Sequence, residues 1–126
     1  MKTQGEIEAA ICEGLNRFEQ ENRGRGPSNI RAYLLDDFLV VRLQGLLATG
    51  EQQLATSPSK KGRDLLKQVR THLIESANPL LQALVQGITG VKVASLHHDI
   101  STVTGEAFFI FTLAEPPCYY LEAKTE

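Results

Sequence analysis

The chain has 126 residues, 42% of them hydrophobic and 22% charged, and its 13 Lys and Arg stand against 15 Asp and Glu for a formal net charge of −2. That length suits one domain of roughly 100–150 residues, able to hide about two-thirds of the unfolded chain's surface without metal or disulfide staples. The charge balance argues against a dedicated nucleic-acid binder, and no apolar run approaches the ~20 residues that span a bilayer.

Residues 1–8 are polar and lack the apolar core of a signal peptide. The expectation is a cytoplasmic protein with no direct membrane insertion. Cys12 and Cys118 match no zinc or redox spacing, so reduced thiols and no metal or other cofactor are expected.

Thr3 and Glu6 form a capping-box pair, and Ile7, Ile11, Leu15 and Phe18 then recur every three or four residues. This predicts an amphipathic helix to about Asn22, weakened by Gly14 by roughly 1 kcal/mol relative to Ala. Arg23-Gly24-Arg25-Gly26-Pro27 ends it in a loop. Residues 30–35 and 38–43 read as a β-hairpin around Asp36-Asp37. A two-residue turn sets Leu35 opposite Phe38 and Ile30 opposite Leu43. Ile30, Ala32, Leu34, Leu39, Val41 and Leu43 then face the core, and Arg31, Tyr33, Leu35, Phe38, Val40 and Arg42 face away.

A short helix is expected around residues 51–55 and a long one from about Lys61, with Pro79 kinking or splitting it near Asn78. Residues 91–100 and 107–113 form a second strand pair, with Ser101 opposite Glu106. In that register Ala94, Leu96, His98, Ile100, Ala107, Phe109, Phe111 and Leu113 face the core. Hairpins and amphipathic helices cover one another in layers. The predicted fold is α+β, a two-layer sandwich in which a four-stranded, mostly antiparallel sheet carries helices on one face, in the order α-β-β-α-α-β-β. The domain is drawn at residues 1–114 and a carboxyl-terminal tail at 115–126, whose Tyr119, Tyr120 and Leu121 are apolar enough to dock on the body or on a partner.

Four features could carry chemistry. Arg31 and Arg42 lie directly opposite on the outer sheet face, an arrangement that like-charge repulsion disfavours unless acids or an anion lie close by. Arg23, Gly24, Arg25 and Gly26 could present amides and guanidinium groups to an anion, although the loop is neither a phosphate-binding nor a dinucleotide motif. His97 and Asp99 share a face and could support general-base work, with His98 on the other face as a core histidine bonded to a backbone carbonyl. Finally Tyr33, Leu35, Phe38, Val40, Phe108 and Ile110 make the outer sheet face too apolar for a small monomer.

Several short motifs occur in order: Gly5-Glu6-Ile7-Glu8, Phe18-Glu19, Gly24-Arg25-Gly26-Pro27, Asp36-Asp37, Val41-Arg42-Leu43, Gly90-Val91-Lys92-Val93 and His97-His98-Asp99-Ile100-Ser101. Together they resemble the bacterial MpsC family, whose name refers to a Na+-translocating membrane-potential-generating system. The resemblance covers residues 3 to 113, and the tail from Glu115 departs from it. It implies a link to cation and inorganic-carbon transport systems, in an accessory role, and brings no catalytic residue set.

These lines converge on a non-enzymatic binding, adaptor or regulatory domain that pairs as a homodimer. Its protein partner is expected on the cytoplasmic side of a membrane complex, and nucleic acid is not expected. The loop arginines, Arg31, Tyr33 and Arg42 would form the recognition surface, with His97 and Asp99 beside them. The alternatives are a sensor of bicarbonate, phosphate or a nucleotide using the same arginines, and a small hydrolase-like enzyme using His97 and Asp99.

Overall fold

The computed structural model describes residues 2–119. Its elements run α1 (Gln4–Arg23), β1 (Asn29–Leu35), β2 (Phe38–Gln44), α2 (Thr49–Ala55), α3 (Lys60–Thr89), β3 (Val93–Ile100) and β4 (Ala107–Leu113). The four strands form one sheet in the order β1-β2-β4-β3, every neighbouring pair antiparallel. This is the α+β architecture that the hydrophobic periodicities predict.

Local chemistry sets the boundaries. Thr3 Oγ1 accepts the Glu6 amide while Glu6 Oε1 accepts the Thr3 amide, so α1 opens with a complete capping box. In the first hairpin Asp36 takes a left-handed φ of 56°, which Asp tolerates better than most side chains. The turn therefore needs no glycine, and the strands pair as expected from Leu35 opposite Phe38 to Ile30 opposite Leu43. The second pair also holds its register near the turn, where the Ser101 amide donates to the Glu106 carbonyl at 2.8 Å.

Two expectations are corrected. Helix α3 runs unbroken for 30 residues through Pro79, so the proline does not split it. Proline removes a single backbone donor, and Leu66 and Ile74 before it, with Leu81 and Val85 after it, anchor both halves in the core. In β3 a bulge falls between Val93 and Ser95. The extra residue, Ala94, turns outward and is exposed, while Val93 takes the place beside the core opposite Leu113.

The core lies between the sheet and its helices. α1 packs against β1, α3 against β3, and the two helices against each other. Gly14 permits that last contact, because a Cβ there would stand 2.7 Å from Leu84 Cδ1. Ile7, Ile11, Leu15, Leu39, Val41, Leu81, Phe109 and Phe111 are essentially removed from solvent. Past β4 the Ala114 amide donates to the Lys92 carbonyl, one step beyond the Val93–Leu113 pair, and Tyr119 packs partly against the core. Tyr120 and Leu121, expected to dock as well, lie outside the described residues.

Gly45 ends β2 with φ 64°, and Ser28 packs where its side chain would be, donating through Oγ to the Gln44 carbonyl. A Cβ at this position would meet Ser28 Oγ at 1.9 Å. Gly45→Ala combines a left-handed φ with a steric clash and is expected to cost about 1–3 kcal/mol of stability, measurable as a lower urea midpoint with an unchanged slope.

Candidate functional site

Strand alternation and the register order the outer face of the sheet into three cross-strand rows. Leu35, Phe38, Thr112 and Ser95 form the first. Tyr33, Val40, Ile110 and His97 form the second, and Arg31, Arg42, Phe108 and Asp99 the third. No described helix covers this face. Tyr33 is 43% exposed, Leu35 48% and Ile110 36%. An apolar centre is thus bordered on the β1 side by a cation and on the β3 side by an anion.

The facing arginines do not share one fate. Arg42 donates through Nε and Nη2 to Glu106 Oε2 at 2.7 and 2.6 Å. Arg31 is exposed and forms no hydrogen bond or ion pair among the described residues. The acid that relieves the like-charge pair comes from the β3–β4 turn and serves Arg42 alone.

His97 and Asp99 share a face but make separate contacts. His97 Nε2 lies 3.1 Å from Ser95 Oγ, and Ser95 in turn bonds Thr112 Oγ1. The Asp99 carboxylate accepts from Lys67 Nζ at 3.2 Å and from the Ile100 amide at 2.8 Å. Those two donors hold it below the usual carboxylate range, the backbone amide most of all. Among the described residues no group of three or more His, Cys, Asp and Glu is placed to hold a metal.

The Arg23–Pro27 loop is tied into the fold. The Gly24 amide caps α1 on the Gln20 carbonyl at a φ of 77°. Arg25 donates to the carbonyls of Gly45 and Leu47 at 3.2 and 3.4 Å. Arg23, with only 9% of its side chain exposed, donates through Nη2 to Glu51 Oε1. The same carboxylate oxygen accepts the Ala48 amide at 2.9 Å and so starts α2. The loop staples the end of α1 to the β2–α2 connection.

A second charge pair lies deeper, and reading the apolar stripes alone misses it. Glu19 is fully buried and accepts from Arg70 Nη1 at 2.6 Å, with Arg70 itself 8% exposed. The Arg70 guanidinium also lies over the Phe109 ring, 5.5 Å from its centroid. The signal was present: Glu19 follows Leu15 by one helical turn, and Arg70 sits between Leu66 and Ile74 at the same spacing. A charge inside each stripe marks a pair across the helix contact. Above Arg70 and Arg23 opens a cavity of about 320 Å3, walled by Leu46, Leu66, Leu73 and Ile100.

His98 faces α3 and is half-buried. It makes no hydrogen bond among the described residues, where a carbonyl partner was expected. Burial, and next the nearby positive Arg70, lower its pKa below the ordinary 6.5, against weaker opposition from Glu75 and Asp99. The unfolded chain then protonates first. His98 contributes stability that is whole above about 6.5 and is lost as the pH falls through the lowered value. The melting temperature should fall between pH 7.5 and 5.5, less steeply in His98→Gln; equal slopes would remove the effect. Removing one member of the buried pair should cost more. Arg70→Met is expected to destabilise by about 3–5 kcal/mol, and adding Glu19→Leu should recover most of that loss, as read from urea unfolding.

Comparison with known proteins agrees with the motif order. The family model described as "Na+-translocating membrane potential-generating system (MpsC)" matches residues 3–115. The chain is similar to uncharacterized protein YbcI of Bacillus subtilis (strain 168), 35% identical over 125 residues that make up 99% of this chain and 96% of that protein. It is also similar to uncharacterized protein YrhF of the same organism, 26% identical over 98 residues, 77% of this chain and 79% of that protein. No solved structure matches it significantly. A family match over nearly the whole α-β-β-α-α-β-β core leaves one conclusion: the chain belongs to the MpsC family.

Proposed function

We propose that the protein is a non-enzymatic binding domain that pairs with a second copy of itself through the open sheet face. In that form it serves on the cytoplasmic side of a membrane ion or inorganic-carbon transport system as an adaptor or regulator. The observation that carries the reading is the uncovered centre of the face, where Tyr33, Val40 and Ile110 align across three strands with no described element over them. An apolar patch rimmed by polar groups marks a protein interface more often than a wet surface.

Charge order favours a second copy as the occupant. A two-fold axis along the strand direction lays β1 of one copy over β3 of the other. Arg31, which has no ion-pair partner among the described residues of its own chain, then faces the partner's Asp99, and the reciprocal pair forms at the opposite edge. In the middle, Val40 of each copy meets Ile110 of the other. The accessory role draws on the family's description and on the helices, none of which is long and apolar enough among the described residues to cross a membrane.

Sedimentation velocity tests the pairing. The wild type should be a dimer at micromolar concentration. Ile110→Asp places an unpaired carboxylate at the centre of the face and should raise the dissociation constant at least about a hundredfold. Its melting temperature should hardly change, because Ile110 lies outside the core. Arg31→Glu should weaken the dimer in a salt-dependent way. A wild type that stays monomeric at high micromolar concentration refutes the pairing. Capture from a membrane fraction then tests the adaptor role: a component recovered by wild type and lost with Ile110→Asp supports it.

A further inference from the structure

Charge is divided between the two ends of the sandwich. One end carries the Asp36-Asp37 turn, Glu6 and Glu8 at the start of α1, and Glu115 just past β4. The other end gathers the close of α1, the short α2, the start of α3 and the β3–β4 turn. There residues 57–67 hold Lys60, Lys61, Arg63 and Lys67 against Asp64 alone. Arg25 adds an exposed guanidinium beside the β2–α2 connection. The chain as a whole carries −2, yet this end is basic.

Three acids that also lie here are already engaged, Glu51 by Arg23, Glu106 by Arg42 and Asp99 by Lys67. Lys60, Lys61 and Arg63 form no ion pair among the described residues. Aliphatic side chains stand among these cations. Val103 in the β3–β4 turn is 90% exposed, and Leu65, one helical turn beyond Lys61, is 48% exposed. Val103 shares one shallow cleft with Lys67 and another with Thr56, just ahead of the lysine-bearing segment.

That mixture selects the kind of partner. At the surface of an anionic bilayer, ammonium groups meet headgroup phosphates while aliphatic groups beside them leave water. A nucleic-acid backbone would use the charges but leave Val103 and Leu65 wet. The proposed pairing adds to the surface. A two-fold axis along the strands keeps the strand direction, so the basic ends of both copies point the same way and can meet one plane. Only this doubling rests on the pairing; the basic end belongs to each copy.

We propose that this end of the sandwich docks on an anionic membrane surface, with Lys60, Lys61 and Arg63 toward lipid phosphates and Val103 within the headgroup layer.

Vesicle flotation of the full chain at about 0.1 M salt tests it. Phosphatidylcholine vesicles with about 30% phosphatidylglycerol should carry the wild type, and pure phosphatidylcholine should not. Lys60→Glu combined with Lys61→Glu should lower the affinity at least about tenfold. Glutamate suits the first turn of a helix, so this variant keeps its fold. The chain has no tryptophan, so the emission of Val103→Trp reports on the turn alone. It should move to the blue on the anionic vesicles and stay in place on the neutral ones. Ile110→Asp should still float, less tightly than the wild type. A wild type that is monomeric yet floats supports this proposal while refuting the pairing. The proposal is overturned if the wild type ignores the anionic vesicles, if the charge-reversed variant binds like wild type, if the Val103→Trp emission does not move, or if duplex DNA is bound as tightly as the vesicles.

Discussion

Strands β1, β2 and β4 carry large apolar side chains on both faces, while the described helices cover only one. The rest of the structure follows from that imbalance. On the covered side, Leu39, Val41, Phe109 and Phe111 lose essentially all contact with water beneath α1 and α3. On the other side, Tyr33, Val40 and Ile110 form an equally continuous row with nothing described above them. Side-chain alternation makes the two faces inseparable, since a one-residue slip would exchange them. The surface proposed for association is therefore a consequence of the same register that builds the core.

The helix layer has a different logic. α1 and α3 meet across Gly14, and each carries one charge into the contact, Glu19 and Arg70. A buried ion pair adds little net stability over a hydrophobic equivalent, but it penalises any arrangement that separates its members. The pair thus ties the crossing of the two helices to one geometry and sets Arg70 over Phe109. Arg23 and Glu51 repeat the device nearer the surface and fasten the short α2 to the end of α1. Between these two neutral pairs the layer does not close, and an aliphatic cavity remains.

The family assignment and this geometry bear on each other. The family's description concerns a membrane system that moves Na+, yet no described helix is long and apolar enough to cross a bilayer. The open sheet face and the cavity of the helix layer lie on opposite sides of the sandwich, with the sheet between them.

Short-range physics was legible in the sequence by itself. Periodicity of about 3.6 and of 2 identified the helices and strands, the capping box marked the start of α1, and the Asp36-Asp37 turn set a register that placed Arg31 opposite Arg42. Each of these depends on residues a few positions apart or on one turn. Tertiary structure decided what depends on distant partners. The bulge at Ala94 answers to pairing with β4, and the continuity of α3 through Pro79 to burial on either side of the proline. Glu106 joining Arg42 spans 64 positions, Arg70 joining Glu19 spans 51, and Lys67 joining Asp99 spans 32. Sequence shows that such charges sit in apolar stripes or on a common face. Only the packing of one element against another selects their partners, because that choice is made by proximity in space, which no local pattern encodes.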